Sequence, residues 1–236
     1  MSELEHFKAV AANAALAHVE SGSVVGLGTG STAAFVILEL GRRVREGELR
    51  NVTAVPTSLA TDRAARDAGI PLVELGRDGV DVAIDGMDEI TASLDAIKGL
   101  GGSLAREKVV AEAARTFVLV ADHTKRVKVL GERAPVPVEV LPFGRRRTAA
   151  LLEALGCRTT LRRKNGELYV TDNGNPVLDC AVEAGFDAHA FAEGADRIPG
   201  VVGHGLFLGM ATIAYLAGPD GVVTITADGE SGGPAS

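Results

Sequence analysis

The chain has 236 residues, a formal net charge of −7 and a hydrophobic fraction of 46%, which is typical of an ordinary globular protein. The acidic balance argues against non-specific binding of nucleic acid, which needs a basic surface. No segment approaches the roughly 18 uninterrupted apolar residues of a membrane-spanning helix. Cys157 and Cys180 show no CxxC spacing, which fits a reducing compartment. We therefore expect a soluble, cytoplasmic protein that binds neither nucleic acid nor membranes.

Helix-like and strand-like segments alternate over the first 130 residues. Strands that alternate with helices indicate a parallel sheet covered on both faces. The expected fold class is therefore α/β, with an open, Rossmann-like parallel sheet. The patterns predict helices at residues 4–19, 32–44, 58–68 and from about 102, and strands at 23–27, 52–55, 71–75, 80–84 and 117–121.

The sequence pattern changes near Gly131. A proline-punctuated strand, a helix, a hairpin with two Asn-Gly turns and another helix follow, an order that resembles a small ferredoxin-like α+β module. We therefore expect an α/β catalytic domain of residues 1–130 plus 204–236, interrupted by a small α+β module at 131–203. A last strand is predicted at 221–225, and the small, polar tail 228–236 is predicted to be disordered.

A glycine-rich segment, GLGTGST at residues 26–32, lies between a predicted strand and a predicted helix. Its glycines permit a tight turn, and its backbone N–H groups and helix N-terminus suit an anion, most often phosphate. The segment is not a Walker A loop, because no lysine precedes Ser31-Thr32, and it lacks the third glycine of GxGxxG. A structural turn without a ligand is the alternative interpretation.

A second segment, DGMDE at residues 85–89, follows a buried-type strand. Its acids should lie at the carboxyl end of that strand, the edge where open α/β sheets bind ligands. Three carboxylates within five residues repel one another unless they meet a cation, a metal or a proton-transfer task. An acidic helix cap or a solvated turn is the alternative.

A third segment places Lys98 beside another glycine-rich turn and Glu107 near the start of a predicted helix. A glutamate there usually only complements the helix dipole, which should also lower its pKa and keep it ionised at neutral pH. The three segments together nevertheless suit proton transfer beside a carbonyl. That chemistry needs a base, an electrophile for the enediolate charge and a shuttle for hydroxyl protons.

These segments resemble those of the type A ribose-5-phosphate isomerases. GLGTGST, DGMDE, KGLGGSLAREKVVAEAA, FVLVADHTK, VTDNGNPVLD and IPGVVGHGLF occur in that family's order and spacing, from about Glu5 to Ile225. The resemblance implies an enzyme of the pentose phosphate pathway that interconverts D-ribose 5-phosphate and D-ribulose 5-phosphate through an enediolate. It also implies that no metal or other cofactor is needed and that the chain forms a homodimer or homotetramer.

The resemblance further implies a role for individual residues. Glu107 would be the general base, and Lys98 would stabilise the enediolate oxygen, assisted by the amides of residues 99–102. Asp85 and Asp88 would bind sugar hydroxyls, and Asp85 would help to open the furanose ring. The residues implied at the phosphate end are Thr29, Gly30, Ser31, Thr32, Lys125 and Lys8. The other substrate-binding residues implied are Gly86, Met87, Gly99, Leu100 and Gly101.

The sequence departs from the family's usual forms at three positions. Met87 stands where alanine is usual, Leu100 where glycine or arginine is usual, and Thr124 where serine is usual. Met87 and Leu100 add bulk near the predicted site. Among the histidines, His123 is interpreted as a loop residue rather than half of an Asp–His dyad, and His204 as a turn or subunit-contact residue.

Two other functions compete with the isomerase. A sugar-phosphate sensor domain without turnover would need a DNA-binding module, for which neither a basic helix-turn-helix nor spare length exists. A coenzyme A transferase could use a glutamate nucleophile, but it would need a larger chain and has no use for a phosphate loop. No histidines show HxxxH or HExxH spacing, so a zinc site is not expected.

Overall fold

The structure, a computed structural model, describes residues 1–183 and 185–233. Six α-helices and two short 3₁₀ helices (Leu16–His18 and His123–Lys125) lie in this part of the chain. Across the described residues, no helix combines the length and apolar character that crossing a bilayer would require. The α-helices are α1 (Glu3–Ala15), α2 (Ser31–Arg45), α3 (Leu59–Asp67), α4 (Leu104–Glu112), α5 (Arg145–Glu153) and α6 (Ala188–Asp196).

The strands occupy the segments between these helices. Their order is β1 (Val24–Leu27), β2 (Thr53–Pro56), β3 (Val80–Gly86), β4 (Glu89–Ile90), β5 (Ala96–Ile97), β6 (Ala114–Asp122), β7 (Val136–Val140), β8 (Cys157–Leu161), β9 (Arg163–Lys164), β10 (Glu167–Leu168), β11 (Val177–Val182), β12 (Val201–His204), β13 (Leu206–Phe207), β14 (Ile213–Gly218), β15 (Gly221–Thr226) and β16 (Gly229–Gly233).

The largest sheet has seven strands in the order β16-β15-β14-β6-β3-β1-β2. The five strands from β14 to β2 are parallel, and β15 and β16 add antiparallel neighbours at one edge. One face packs on α1, α2 and α3, and the other packs on α4. The predicted α/β class with a parallel-dominated sheet is confirmed.

A second sheet, antiparallel and of four strands, has the order β12-β7-β11-β8. With α5 and α6 it follows the chain order β-α-β-β-α-β of a ferredoxin-like unit. Its apolar side chains form a core cluster distinct from the two clusters of the large sheet, and Ile97, Val127, Leu130 and Leu206 also join this cluster. The β9–β10 hairpin turns at Asn165-Gly166, where both residues have a positive φ, as the Asn-Gly signal predicts.

Two predictions of secondary structure are wrong, and one strand of the large sheet is missed. Residues 71–75 form no strand: Leu72 bridges Ala54, and Pro71 has no N–H to extend the ladder. The strand β14 is missed, because the sequence patterns predict no strand between residues 204 and 220. The tail was expected to be disordered, yet its residues 229–233 pair with β15, because the free edge of that strand offers backbone groups that need no apolar partner. Residues 234–236 of the tail lie outside the described residues.

The fold brings the functional segments to one edge of the large sheet. Strands β1 and β3 are parallel neighbours, so the loops that follow them meet at their carboxyl ends, where α/β sheets bind ligands. A small sheet of β13, β5 and β4 then carries the chain past this edge, and Lys98 follows β5 directly. Segments far apart in sequence thus converge on one site.

We propose that residues 131–203 form a separate module, with a core distinct from those of the large sheet and tied to the α/β domain by Glu89. The buried Glu89 carboxylate accepts the N–H groups of Gly131, Arg133 and Ala134 at 2.6, 2.6 and 2.7 Å. Replacing such an acceptor leaves buried donors unsatisfied. In Glu89→Ala, limited proteolysis is expected to cut near 131 and 203 and leave a resistant fragment of that span, at protease concentrations that spare the parent. Degradation of the whole variant without that fragment would contradict the division.

Candidate active site

A polar cavity of about 120 Å³ opens beside the carboxyl ends of β1 and β3. Most of the predicted site residues line it, although they come from helices α1, α2 and α4 and from loops that are distant in sequence. Asp85 and Leu100 are the predicted residues that do not line it. The lining residues are Lys8, Thr29, Gly30, Ser31, Thr32, Gly86, Met87, Asp88, Lys98, Gly99, Gly101, Glu107 and Lys125.

A larger groove of about 720 Å³ lies on the far side of α4. It is mostly apolar, with Val73, Val109 and Val202 in its walls, and it contains none of the predicted site residues. The smaller cavity holds the buried charges and the glycine-rich loops, and charged groups that are buried together are what proton-transfer chemistry needs. We therefore assign the candidate active site to the smaller cavity.

One end of the cavity suits an anion. Helix α2 begins there with Gly30 as its N-cap, and within residues 1–183 and 185–233 no capping side chain accepts the N–H groups of its first turn. Lys8 Nζ donates to Ser31 Oγ at 2.9 Å, and Lys125 lines the same cavity. Free N–H groups, the positive end of a helix dipole and two lysines together favour a phosphate group at this end.

A cluster of hydroxyl groups holds the loop before α2. Thr29 Oγ1 lies within hydrogen-bonding distance of Thr57 Oγ1 (2.9 Å), Ser58 Oγ (2.9 Å) and Thr61 Oγ1 (3.1 Å). Sequence reasoning missed these three partners. The available signal was position: Thr57 and Ser58 follow β2 at its carboxyl end, and β2 pairs with β1 in parallel. Polar residues directly after β2 therefore lie beside the loop that follows β1.

The other end of the cavity contains a buried ammonium group. Lys98 Nζ lies 2.8 Å from Asp85 Oδ2 and 3.2 Å from Glu107 Oε2, and the three side chains are only 2%, 4% and 5% exposed. Lys98 also donates to the Gly86 carbonyl at 2.5 Å. Burial alone would lower the pKa of Lys98, but the Asp85 and Glu107 carboxylates outweigh it and raise that pKa. Lys98 is therefore a permanent cation inside the protein.

Asp85 lies beneath the cavity rather than in its wall. Its Oδ1 accepts the N–H groups of Thr29 (3.1 Å) and Gly86 (2.7 Å), while its Oδ2 meets Lys98. A Cβ on Gly28 would lie 2.0 Å from Asp85 Oδ1, so only glycine leaves room for this carboxylate. Burial raises the pKa of Asp85, against the lowering effects of Lys98 and of the two N–H donors. Asp85 thus connects the phosphate loop with Lys98.

Glu107 is the less well satisfied of the two carboxylates. It lies in the first turn of α4, and among the described residues its Oε2 has no hydrogen-bond partner, since Lys98 is close but poorly aligned. Burial and the negative charge of Asp85 raise the pKa of Glu107 to about 8, against the opposing effect of Lys98. The expected lowering by the helix dipole is wrong, because that effect is worth about 0.3–1 kcal/mol whereas burying a charge costs several kcal/mol.

The residues that depart from the usual family forms have different surroundings. Met87 is buried, lines the cavity and belongs to the apolar core cluster between the large sheet and α4. Leu100 is 43% exposed and does not line the cavity, although its N–H donates to Asp88 Oδ2 at 2.9 Å. Leu100 therefore influences the site through its backbone rather than through its bulk.

Neither singled-out histidine faces the cavity. The His123 ring packs edge-on against Phe7 at 5.6 Å, and Asp122 instead accepts the Thr124 N–H at 3.1 Å, so no Asp–His dyad forms. The interpretation of His204 as a turn or contact residue is wrong: it ends β12, is buried, and its Nε2 lies 3.3 Å from Asp196 Oδ1. Within residues 1–183 and 185–233, no three His, Cys, Asp or Glu side chains cluster as metal ligands would.

Comparison with known proteins agrees with this geometry. The family model for ribose 5-phosphate isomerase A (phosphoriboisomerase A) matches residues 53–221. The chain is 52% identical to ribose-5-phosphate isomerase A of Roseiflexus sp. (strain RS-1) over 219 residues, which cover 92% of this chain and 94% of that protein. The chain belongs to the ribose 5-phosphate isomerase A family. Ribose-5-phosphate isomerase A of Deinococcus radiodurans is 47% identical, with 95% and 99% of the two chains covered.

Solved structures of this family share the fold. Ribose 5-phosphate isomerase from Plasmodium falciparum superposes with a TM-score of 0.89 at 35% identity, covering 94% of this chain and 99% of that one. A D-ribose-5-phosphate isomerase in complex with phospho-erythronic acid superposes with a TM-score of 0.91 at 35% identity, covering 96% and 100%. The sensor-domain and transferase alternatives are not favoured, and the chain is an aldose–ketose isomerase.

Proposed function

We propose that this chain interconverts D-ribose 5-phosphate and D-ribulose 5-phosphate by moving one proton between C2 and C1 through an enediolate. The observation that carries the proposal is the Lys98 ammonium, buried 2.8 Å from Asp85 and 3.2 Å from Glu107 beside a phosphate-type loop. Such a cluster provides one fixed cation and one carboxyl that can exchange a proton. An aldose–ketose isomerisation needs both groups next to the same carbonyl.

The substrate is held at its phosphate end by the α2 N-terminus. The amides of Gly30 to Thr32 and the hydroxyls of Ser31 and Thr32 surround the phosphate, Thr29 lines the same subsite, and Lys8 and Lys125 balance the phosphate charge. A relative that binds phospho-erythronic acid supports this arrangement, because that ligand carries a phosphate at one end and a carboxylate where the sugar has its carbonyl. Asp88, which lines the cavity, binds a sugar hydroxyl. The role of Asp85 in opening the furanose ring stays a prediction.

The reaction itself uses Glu107 and Lys98. Ionised Glu107 takes the C2 proton, and the electron pair of that C–H bond forms the C1=C2 double bond while the carbonyl electrons move onto O1. Lys98 and the backbone N–H groups beside it stabilise the negative charge on O1. The O2 hydroxyl proton moves to O1, Glu107 returns its proton to C1, and C2 becomes the ketone. No proton is gained or lost overall.

Further properties follow from the same proposal. Lys98 supplies the positive charge that a metal would otherwise provide, so the reaction proceeds in EDTA without a metal or other cofactor. We also expect a cytoplasmic homodimer or homotetramer that acts in the pentose phosphate pathway, as the family resemblance implies. Enzyme assays in EDTA and sedimentation of the purified chain measure these two properties directly.

The role of Glu107 is tested by Glu107→Gln, which keeps the shape of the side chain but cannot accept the C2 proton. Because general base catalysis contributes about 10²–10⁴-fold, kcat is expected to fall at least a hundredfold while KM changes little. Exchange of the C2 proton with deuterated solvent should fall in parallel. The matched control is Glu112→Gln, an exposed glutamate at the other end of α4, which should behave like the parent. Activity of folded Glu107→Gln within about threefold of the parent would falsify the assignment.

The phosphate subsite is tested by Lys125→Ala. A contact to a remote phosphate stabilises the bound substrate and the transition state equally, so its loss raises KM and leaves kcat nearly unchanged. A hydrogen bond to a charged group is worth about 1.5–3 kcal/mol, which predicts a KM raised about tenfold to a hundredfold. The control is Lys128→Ala, three positions further on, exposed and outside the cavity. An unchanged KM in Lys125→Ala would remove this lysine from the phosphate subsite.

A further inference from the structure

Two side chains of the 131–203 segment hold the glycine-rich loop that follows Lys98. Arg162 Nη1 donates to the carbonyl of Gly99 at 2.8 Å and to that of Leu100 at 3.0 Å. The Tyr169 hydroxyl donates to the carbonyl of Gly101 at 3.1 Å. Three successive carbonyl groups of the loop are thus bound from the side of the smaller sheet. Neither residue lines the cavity, and neither belongs to the site predicted from sequence.

These contacts fix the direction of the loop's N–H groups. A trans peptide is planar, so its N–H points away from its C=O. The Gly99 carbonyl accepts from Arg162, so the N–H of the same peptide, which belongs to Leu100, points the other way. This Leu100 N–H donates to Asp88. The Leu100 carbonyl also accepts from Arg162, and it shares a peptide with the Gly101 N–H. The Gly101 N–H therefore points away from Arg162. Gly101 lines the cavity, and within the described residues neither its N–H nor that of Gly99 has an acceptor.

Arg162 is itself held rigidly. Its Nε lies 3.0 Å from Asp179 Oδ2, its Nη2 pairs with Asp179 Oδ1, and the Arg162 side chain is only 10% exposed. A bidentate pair fixes the plane of a guanidinium, which leaves Nη1 aimed at the loop. Tyr169 packs closely on the C-terminal end of the Gly99–Gly102 loop. A Cβ on Gly102 would lie 2.0 Å from the Tyr169 hydroxyl, and Gly102 has a φ of +90°.

We propose that Arg162 and Tyr169 are positioning residues for isomerisation, which orient the Gly99–Gly102 peptides so that the Gly101 N–H joins Lys98 in stabilising the enediolate oxygen. This inference rests on the proposed function and deepens it. It gives residues 131–203 a part in catalysis although Arg162 and Tyr169 do not line the cavity. The peptides bound by Arg162 also provide the donor that holds Asp88, so one guanidinium fixes both a sugar-binding carboxylate and an oxyanion donor.

The test compares Arg162→Lys with Arg163→Lys. Lysine keeps the charge at residue 162, but one ammonium cannot hold Asp179 and two carbonyl groups in the geometry of a guanidinium. Removing an oxyanion donor costs about 10²–10³-fold, and lysine at residue 162 only misplaces the donor, so kcat should fall about tenfold to a hundredfold, with KM within about threefold of the parent. Arg163 is exposed, and among the described residues its side chain donates only to the Gly166 carbonyl, so Arg163→Lys should match the parent.

Tyr169→Phe is the second variant, and it decides the question if Arg162→Lys does not fold. It removes one hydroxyl and leaves the ring that packs beside Arg162. The loss of one neutral hydrogen bond predicts a kcat lowered about threefold to tenfold at an unchanged KM. Parental kcat in both folded variants overturns the inference.

Binding measurements distinguish a loss of loop positioning from a general disruption of the active site and from failure of the proposed function. Arg162→Lys should bind phospho-erythronic acid about tenfold more weakly than the parent, because the carboxylate needs the oriented N–H groups, and should bind inorganic phosphate equally well. Equal weakening of both ligands, or of neither, contradicts the inference. If the parent does not isomerise ribose 5-phosphate, the proposed function fails. If the parent isomerises ribose 5-phosphate while Arg162→Lys and Tyr169→Phe both keep parental kcat and parental affinity for phospho-erythronic acid, only the positioning role fails.

Discussion

The buried ammonium of Lys98 is the interaction on which the rest of the site depends. A charge at that depth is tolerated only with close partners, and Asp85, Glu107 and the Gly86 carbonyl supply them. Asp85 also binds the Thr29 N–H, so the same carboxylate links the cation to the phosphate loop. Two carboxylates share one ammonium, so the cluster has a net charge of −1 when both carboxylates are ionised. Glu107 has fewer hydrogen-bond donors than Asp85, so Glu107 is the carboxylate that takes up a proton most easily.

The sequence predicted the large sheet and brought the right segments together, because strand, glycine turn and charge patterns are local signals. Thr29, Asp88, Lys98 and Glu107 do line one cavity. The sign of the Glu107 pKa shift could not be predicted, since a position near a helix start says nothing about burial. The tail strand β16 also escaped prediction, because its pairing uses only the backbone edge of β15.

The smaller sheet illustrates a second limit of sequence reasoning. Arg162 and Tyr169 are ordinary residues in a polar hairpin region, and no motif marks them. Their importance comes from contacts to the carbonyl groups of residues 99–101, which lie some sixty positions earlier in the chain. The glycine-rich loop was recognised from its composition, but the direction of its peptides depends on these tertiary hydrogen bonds. At this loop, side chains of the ferredoxin-like unit contact the backbone of the candidate active site, which lies at the edge of the parallel sheet.

The most direct test of this account is a titration of Glu107 in the substrate-free protein. Carboxyl carbons labelled with ¹³C can be followed by NMR in the parent and in Glu107→Gln, and the missing resonance identifies Glu107. Because burial and Asp85 raise the pKa of Glu107 to about 8, that resonance should titrate near pH 8, with the acid neutral below and ionised above this midpoint. Catalysis by the ionised form should then strengthen as the pH rises through the same range. A midpoint near 4.5, the ordinary value for glutamate, would show that Lys98 fully compensates the burial of Glu107 and would contradict the account.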